Sequence, residues 1–245
     1  MKSRVDKLLA GAGFGSRRDI KRVLRERTFC VNGVPCRDPS FHVDPEHDQF
    51  ELDGENWAFR ARIYLMLNKP AGVVTSTADP VHRTVLDLLE EPWRGSDVFP
   101  VGRLDIDTRG LLLLTNDGAL AHRLTSPKTG VEKKYLADLE LPVDDDLFAE
   151  YARRFSEGVA FHNGHNCLPA KLERASKRLA LTIEEGKYHQ VKKMFRVVGN
   201  RVIGLERVSM GPLVLDPGLP PGAVRELTAD EITGLREAVG LVDPE

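Results

Sequence analysis

VGRLDIDTRGLLLLTNDG, residues 101–118, joins a charged loop to a wholly apolar run. The four leucines at 111–114 suit a strand buried on both faces, and Asn116-Asp117-Gly118 closes it with a turn. Ahead of the strand, Gly102 and Gly110 bracket a loop carrying Arg103, Asp105, Asp107 and Arg109. A loop anchored to a buried strand is a rigid place to present a reactive group. The same charges also read as an ion-paired turn in which the arginines neutralise the aspartates. If the loop is extended, its two carboxylates point to opposite sides, which disfavours a glycosidase-like pair acting on one bond.

Outward from this segment, β-prone runs at 63–67, 72–76, 134–141, 167–174, 178–184, 202–208 and 213–215 alternate with helical patterns at 85–89, 119–124, 145–157, 190–198 and 230–239. The helices are too few and too unevenly spaced for regular βαβ winding, so the expected class is α+β. No GxGxxG, Walker A or HExxH motif occurs, which removes the usual support for a nucleotide cofactor or a zinc protease. Thr228-Ala229-Asp230-Glu231 has the form of a capping box.

The chain has 245 residues, 41% hydrophobic and 29% charged, enough apolar material for a sizeable core. Basic residues interrupt the apolar ones near the N-terminus, and no run approaches the roughly 20 apolar residues of a membrane span. A cytoplasmic location away from membranes is expected. Three cysteines, Cys30, Cys36 and Cys167, in no CxxC spacing argue against a disulfide scaffold or structural zinc. His162 and His165 (HNGH) read as loop histidines, so no metal is expected.

Net charge is only -2, yet it is strongly segregated. Residues 1–37 hold ten Lys/Arg against three Asp/Glu, and residues 171–210 hold ten against four. Local field, more than the total, decides whether phosphate is attracted. Residues 4–27 read as two short helices, the first ending at Gly11, Gly13 and Gly15, the second capped by Ser16 with Asp19 three residues on. Ile20, Val23 and Leu24 share one face of the second helix and Arg18, Arg22 and Arg25 the other, where a polyanion would relieve their repulsion. Asn32-Gly33 signals a hairpin turn. Residues 53–62 are polar without periodicity and read as a linker between domains at 1–60 and 63–245.

The order RVDKLL, GSRRDIKRVL, VNG resembles the S4 RNA-binding domain. GRLDIDTRGLLLLTNDG is similar to the central signature of the RsuA-type pseudouridine synthases. LNKPAGVVTS (67–76), VEKKYLADLE (131–140) and LTIEEGKYHQVKKMFRVVGNRVIGLERVSMGPL (181–213) match further family motifs in the family's order. The resemblance implies an S4 domain followed by a catalytic domain built on a mixed, largely antiparallel sheet with a central cleft. It implies isomerisation of a uridine in RNA, with no cofactor, by a base flipped out of its stack.

By that resemblance Asp105 is the catalytic carboxylate, with attack on sugar, attack on base and proton abstraction all open as its role. Lys192 takes the place of the basic residue that pairs with it, and Tyr135 that of the active-site tyrosine. Arg103 falls where the family fills the space the flipped base leaves, and Leu205 where it has an apolar pocket wall. Arg4, Lys7, Arg17, Arg18, Lys21 and Arg22 would meet RNA. Without the resemblance, Tyr135 reads as a core aromatic, the helix bearing Lys192 as an amphipathic surface helix, and Lys69, in NKPAG, as a turn lysine. STADPVHRTVLDLL (76–89) and the GRLDIDT loop most resemble members acting on small-subunit (16S) rRNA, implying uridine 516 as target and rRNA or an assembly intermediate as partner of a monomer. The rivals are a 23S rRNA enzyme of the same family, a non-catalytic S4-type assembly factor and a nucleoside hydrolase.

Overall fold

The computed structural model describes residues 3–12, 14–45, 47–57, 62–161 and 164–241. Gly13, His162 and positions 58–61 of the expected linker lie outside the described residues. The chain divides into two compact units, Met1–Ile63 with Leu89–Val98, and Tyr64–Leu88 with Phe99–Glu245.

In the first unit β1 (Ser3–Arg4) leads into α1 (Val5–Gly11) and α2 (Arg17–Glu26). Val5, Leu8, Leu9, Ile20 and Leu24 are buried with Phe29, Val31, Phe50 and Leu52 in one small core. The Asp19 carboxylate accepts from the Ser16 amide at 2.9 Å, so the predicted cap starts α2. Four strands, β2 (Phe29–Val31), β3 (Val34–Pro35), β5 (Phe50–Leu52) and β6 (Glu55–Trp57), form a sheet in the order β3-β2-β5-β6, while β4 (His42–Val43) pairs with β1. Asn32 and Gly33 have φ of 52° and 76°, the left-handed pair that a tight hairpin needs. Part of the predicted linker is therefore strand β6; its polar composition reflects a strand whose residues are mostly exposed.

The second unit is a nine-stranded sheet. Its main path runs β11 (Lys171–Ala175), β12 (Arg178–Ile183), β10 (Lys133–Leu139), β13 (Val202–Met210), β9 (Arg109–Thr115), β7 (Tyr64–Lys69), β15 (Val224–Glu226), with β14 (Leu213–Val214) on β13 and β8 (Phe99–Pro100) on β9. Every pairing is antiparallel except β13 with β9, so the sheet is mixed and the class is α+β. Leu111–Leu114 are all fully buried, as their apolar run requires. Leu111 and Leu113 face a core shared with α3 (Gly118–Thr125) and α6 (Ala229–Ala238) through Leu120, Leu124 and Leu235. Asp117 caps α3 by accepting from the Ala119 and Leu120 amides.

Two helices stand on the other half. Tyr151 and Phe155 of α4 (Asp145–Ser156) meet Phe195 of α5 (Gln190–Val197), the Phe155 and Phe195 rings edge-on at 5.3 Å. Phe195 and Met194 are fully buried, which fixes α5 with its lysines outward. The strand expected at 72–76 is reduced to one bridge, Val74 with Thr84, and the helix at 85–89 is a single 3-10 turn, Leu86–Leu88. The strand expected from 167 begins only at Lys171.

Candidate active site

The charged loop is fastened at three points. At its end Gly110 pairs with Arg207 across the parallel seam, with φ +99°, and a Cβ there would stand 2.3 Å from the Arg207 carbonyl oxygen. Only glycine permits that approach. At its start the Thr75 hydroxyl donates to the Leu104 carbonyl at 2.8 Å, and the Gly72 amide donates to the Ile106 carbonyl. From beneath, the fully buried Lys69 ammonium donates to the carbonyls of Thr108 (2.9 Å), Asp105 (3.0 Å), Pro70 (3.1 Å) and Ile106 (3.4 Å). Lys69 is thus the hub of the loop and not a turn residue. Burial pushes its pKa down to about 8, against the opposing pull of Asp107 and Asp105.

The loop is turned, not extended, since the Asp105 carbonyl accepts from the Thr108 amide at 3.1 Å. The turn brings both carboxylates to one cation. Lys192 Nζ donates to Asp105 Oδ2 at 2.8 Å and to Asp107 Oδ1 at 2.6 Å. Arg103 and Arg109 form no salt bridge among the described residues, so the expectation that they neutralise the aspartates fails. Burial works against the Lys192 ammonium, but its bonds to the two aspartates outweigh this and hold its pKa above the usual lysine value. For Asp107, burial alone would raise the pKa; the Lys192 hydrogen bond and charge reverse that and lower it.

Around Asp105 lies a cleft open to solvent. Arg103, Leu104, Tyr135, Ile183, His189, Lys192 and Leu205 are among its walls. Asp105 is one-quarter exposed, whereas Tyr135 and Leu205 are buried in the floor. Pairing between β10 and β13 shifts register between Lys134 and Tyr135, a bulge of the kind that re-aims side chains beside sites. Asp105, Tyr135, Lys192, Arg103 and Leu205, dispersed over 103 positions of sequence, thus share one cleft.

Sequence reasoning missed His189. It caps α5 with φ 54° and ψ 33°, and its Nε2 lies 3.4 Å from Asp105 Oδ1. Its place between Tyr188 and Gln190 gives no periodic signal. The fold also gathers His165, read from sequence as a loop histidine, with Cys167 and Glu185, their ligand atoms within 4.8 Å of one another. Glu185 already accepts from the Leu168 amide (2.6 Å) and Gln190 Nε2 (3.2 Å), and His165 Nε2 lies 3.2 Å from its other oxygen. These bonds moor the 185–190 turn, which lines the cleft.

In the first unit Lys7, Arg17, Arg18, Lys21 and Arg22 are exposed. Arg4 is exposed as well, and it also pairs with Asp6, its Nη2 donating to Oδ2 at 2.8 Å and its Nε to Oδ1 at 3.1 Å.

The RNA pseudouridylate synthase family model matches residues 63–196, and the S4 domain model matches residues 3–49. The ribosomal small subunit pseudouridine synthase A of Escherichia coli is 45% identical over 237 residues, covering 95% of this chain and 99% of that protein. The uncharacterized RNA pseudouridine synthase YtzG of Bacillus subtilis is 45% identical over 239 residues, with 96% and 98% covered. A crystal structure of a pseudouridylate synthase superposes with a TM-score of 0.66 at 38% identity, over 95% of this chain and 99% of that one. A loop and cleft of this form, in a chain matched end to end by such relatives, make the protein a member of the RsuA-type RNA pseudouridine synthases, with an S4 domain ahead of the synthase domain.

Proposed function

We propose that the protein converts one uridine of small-subunit (16S) rRNA, uridine 516, to pseudouridine, with Asp105 as the group that touches the reacting nucleotide. The observation that carries this reading is the partly exposed Asp105 carboxylate, paired with Lys192 at the wall of a cleft floored by Tyr135 and Leu205.

The reaction breaks the N1–C1′ bond, turns the uracil and joins C5 to C1′, with C5 losing a proton and N1 gaining one. No electrons are exchanged and no group is brought in, so the reading needs no cofactor or metal. Asp105 serves as an anion, whether toward sugar, base or proton, and the Lys192 ammonium donates to it at 2.8 Å. Tyr135 offers a ring for the flipped uracil, Leu205 an apolar wall, and Arg103, exposed at the rim, a cation near the emptied stack. Flipping costs a few kcal/mol, which phosphate contacts can supply. Arg4, Lys7, Arg17, Arg18, Lys21 and Arg22 are the proposed contacts in the S4 domain, Arg4 held in place by Asp6.

The small-subunit assignment is supported by the Escherichia coli relative at 45% identity. In this reading the enzyme works as a cytoplasmic monomer on the rRNA or an assembly intermediate; no helix among the described residues is long and apolar enough to cross a membrane. Purified protein is incubated with each rRNA and with its assembly particle, and pseudouridine is mapped. Product at uridine 516 of 16S rRNA is expected. Product confined to large-subunit RNA, or release of free uracil, overturns the assignment.

A further inference from the structure

We propose that Tyr188, backed by His189, is a stacking platform for the nucleobase next to the flipped uridine. The proposal rests on the reading of the cleft as a uridine site and adds a second nucleotide subsite to it.

Tyr188 is 74% exposed, an aromatic ring the core does not use. It is nevertheless ordered by a neighbour, lying 3.8 Å from the His189 ring at an interplanar angle of 21°. His189 in turn holds a left-handed backbone, a conformation that costs a non-glycine residue on the order of 1 kcal/mol and that tends to persist where function requires it. The Gln190 side chain secures the turn, accepting from the Lys187 amide at 2.9 Å and donating to Glu185. His189 also reaches Asp105, at 3.4 Å, so Tyr188 stands one residue removed from the reacting carboxylate.

The chemistry of the ring selects its ligand. When a uridine leaves its stack, the adjacent base loses a partner face, and an exposed aromatic replaces it without regard to base identity. Lys193 Nζ lies over the Tyr188 ring, 5.0 Å from its centroid, and over Phe161 at 5.6 Å; a base that takes the Tyr188 face displaces this ammonium, which then meets the nucleotide's phosphate. A planar base with an attached phosphate satisfies both groups.

The test uses the full-length protein and an rRNA substrate carrying the mapped uridine, with an abasic nucleotide placed 5′ or 3′ of it. With intact RNA, Tyr188→Ala is expected to raise KM roughly five- to 150-fold, the loss that follows removal of one aromatic–base stack, and Tyr188→Phe to restore it. One of the two abasic RNAs should carry the same penalty on the wild type and add nothing to the alanine variant. An unchanged KM in Tyr188→Ala, or abasic penalties that are equal for wild type and variant at both positions, overturns the platform. Wild-type protein that forms no pseudouridine in any rRNA defeats the underlying reading instead, before a variant is compared.

Discussion

Lys192 Nζ stands 2.8 Å from Asp105 Oδ2, and the two residues are 87 positions apart in the chain. The same nitrogen is 2.6 Å from Asp107 Oδ1, so one cation gathers both carboxylates of the loop. Lys192→Met is expected to slow pseudouridine formation roughly 100-fold, the usual effect of deleting a preorganised electrostatic partner. Stability should change by less than about 1 kcal/mol, because the pair is partly exposed and screened. Single-turnover rates and urea unfolding measure the two separately. Unfolding of the variant would show that the pair serves structure more than chemistry.

The pH behaviour separates this pair from Lys69. The Lys192 pKa is raised, so its contribution to stability is present below the ordinary value of 10.5 and lost only as pH rises through the higher folded value. The Asp107 pKa is lowered, so its contribution is present above 3.8 and lost as pH falls through the depressed value. Between those limits the Lys192–Asp107 ion pair is intact. Lys69, pushed down to about 8, loses a proton well inside them and then has too few N–H groups for the loop carbonyls. The rate should fall as pH rises through about 8. Lys133 is also pushed down to about 8 by burial, so Lys133→Met is the control. A descending limb that persists in Lys69→Met and vanishes in Lys133→Met contradicts the assignment.

Gly110 tests the seam. Gly110→Ala puts a methyl group 2.3 Å from the Arg207 carbonyl oxygen in a backbone with φ +99°. A loss of about 2 kcal/mol or more is expected, with the Asp105 loop displaced and activity reduced. Thermal unfolding and turnover at a temperature where the variant is folded check both parts.

The charge-rich helix α2 predicts a different pattern. Arg18→Glu with Arg22→Glu should weaken RNA binding and flatten its salt dependence by about one in slope for each phosphate no longer engaged. Both side chains are exposed, so the fold should persist. An unchanged slope removes this face from the binding surface.

The leucine run at 111–114 and the alternation of Val191, Met194 and Phe195 with Lys192 and Lys193 announce a buried strand and an amphipathic helix directly, because burial on both faces or on one leaves a periodic trace. Strands β8 and β15 leave none, being two and three residues long and formed by pairing with distant partners. Lys69 reads as a turn lysine since its role is written in carbonyls from 36 to 39 positions away. The convergence of Asp105 and Asp107 was hidden for a related reason: a turn at Ile106–Asp107, invisible to an extended-loop reading, rotates both toward α5. Family resemblance supplied Tyr135, whose alternation alone marks it as core, and it is indeed buried while lining the cleft.

Catalysis in this reading turns on the carboxylate of Asp105, and Asp105→Asn removes its charge while preserving its shape. The decisive measurement is pseudouridine yield on rRNA under single-turnover conditions, with RNA affinity determined on the same preparation. RNA binding within about threefold of wild type and no detectable product are expected. Product formed at the wild-type rate would contradict the role given to Asp105.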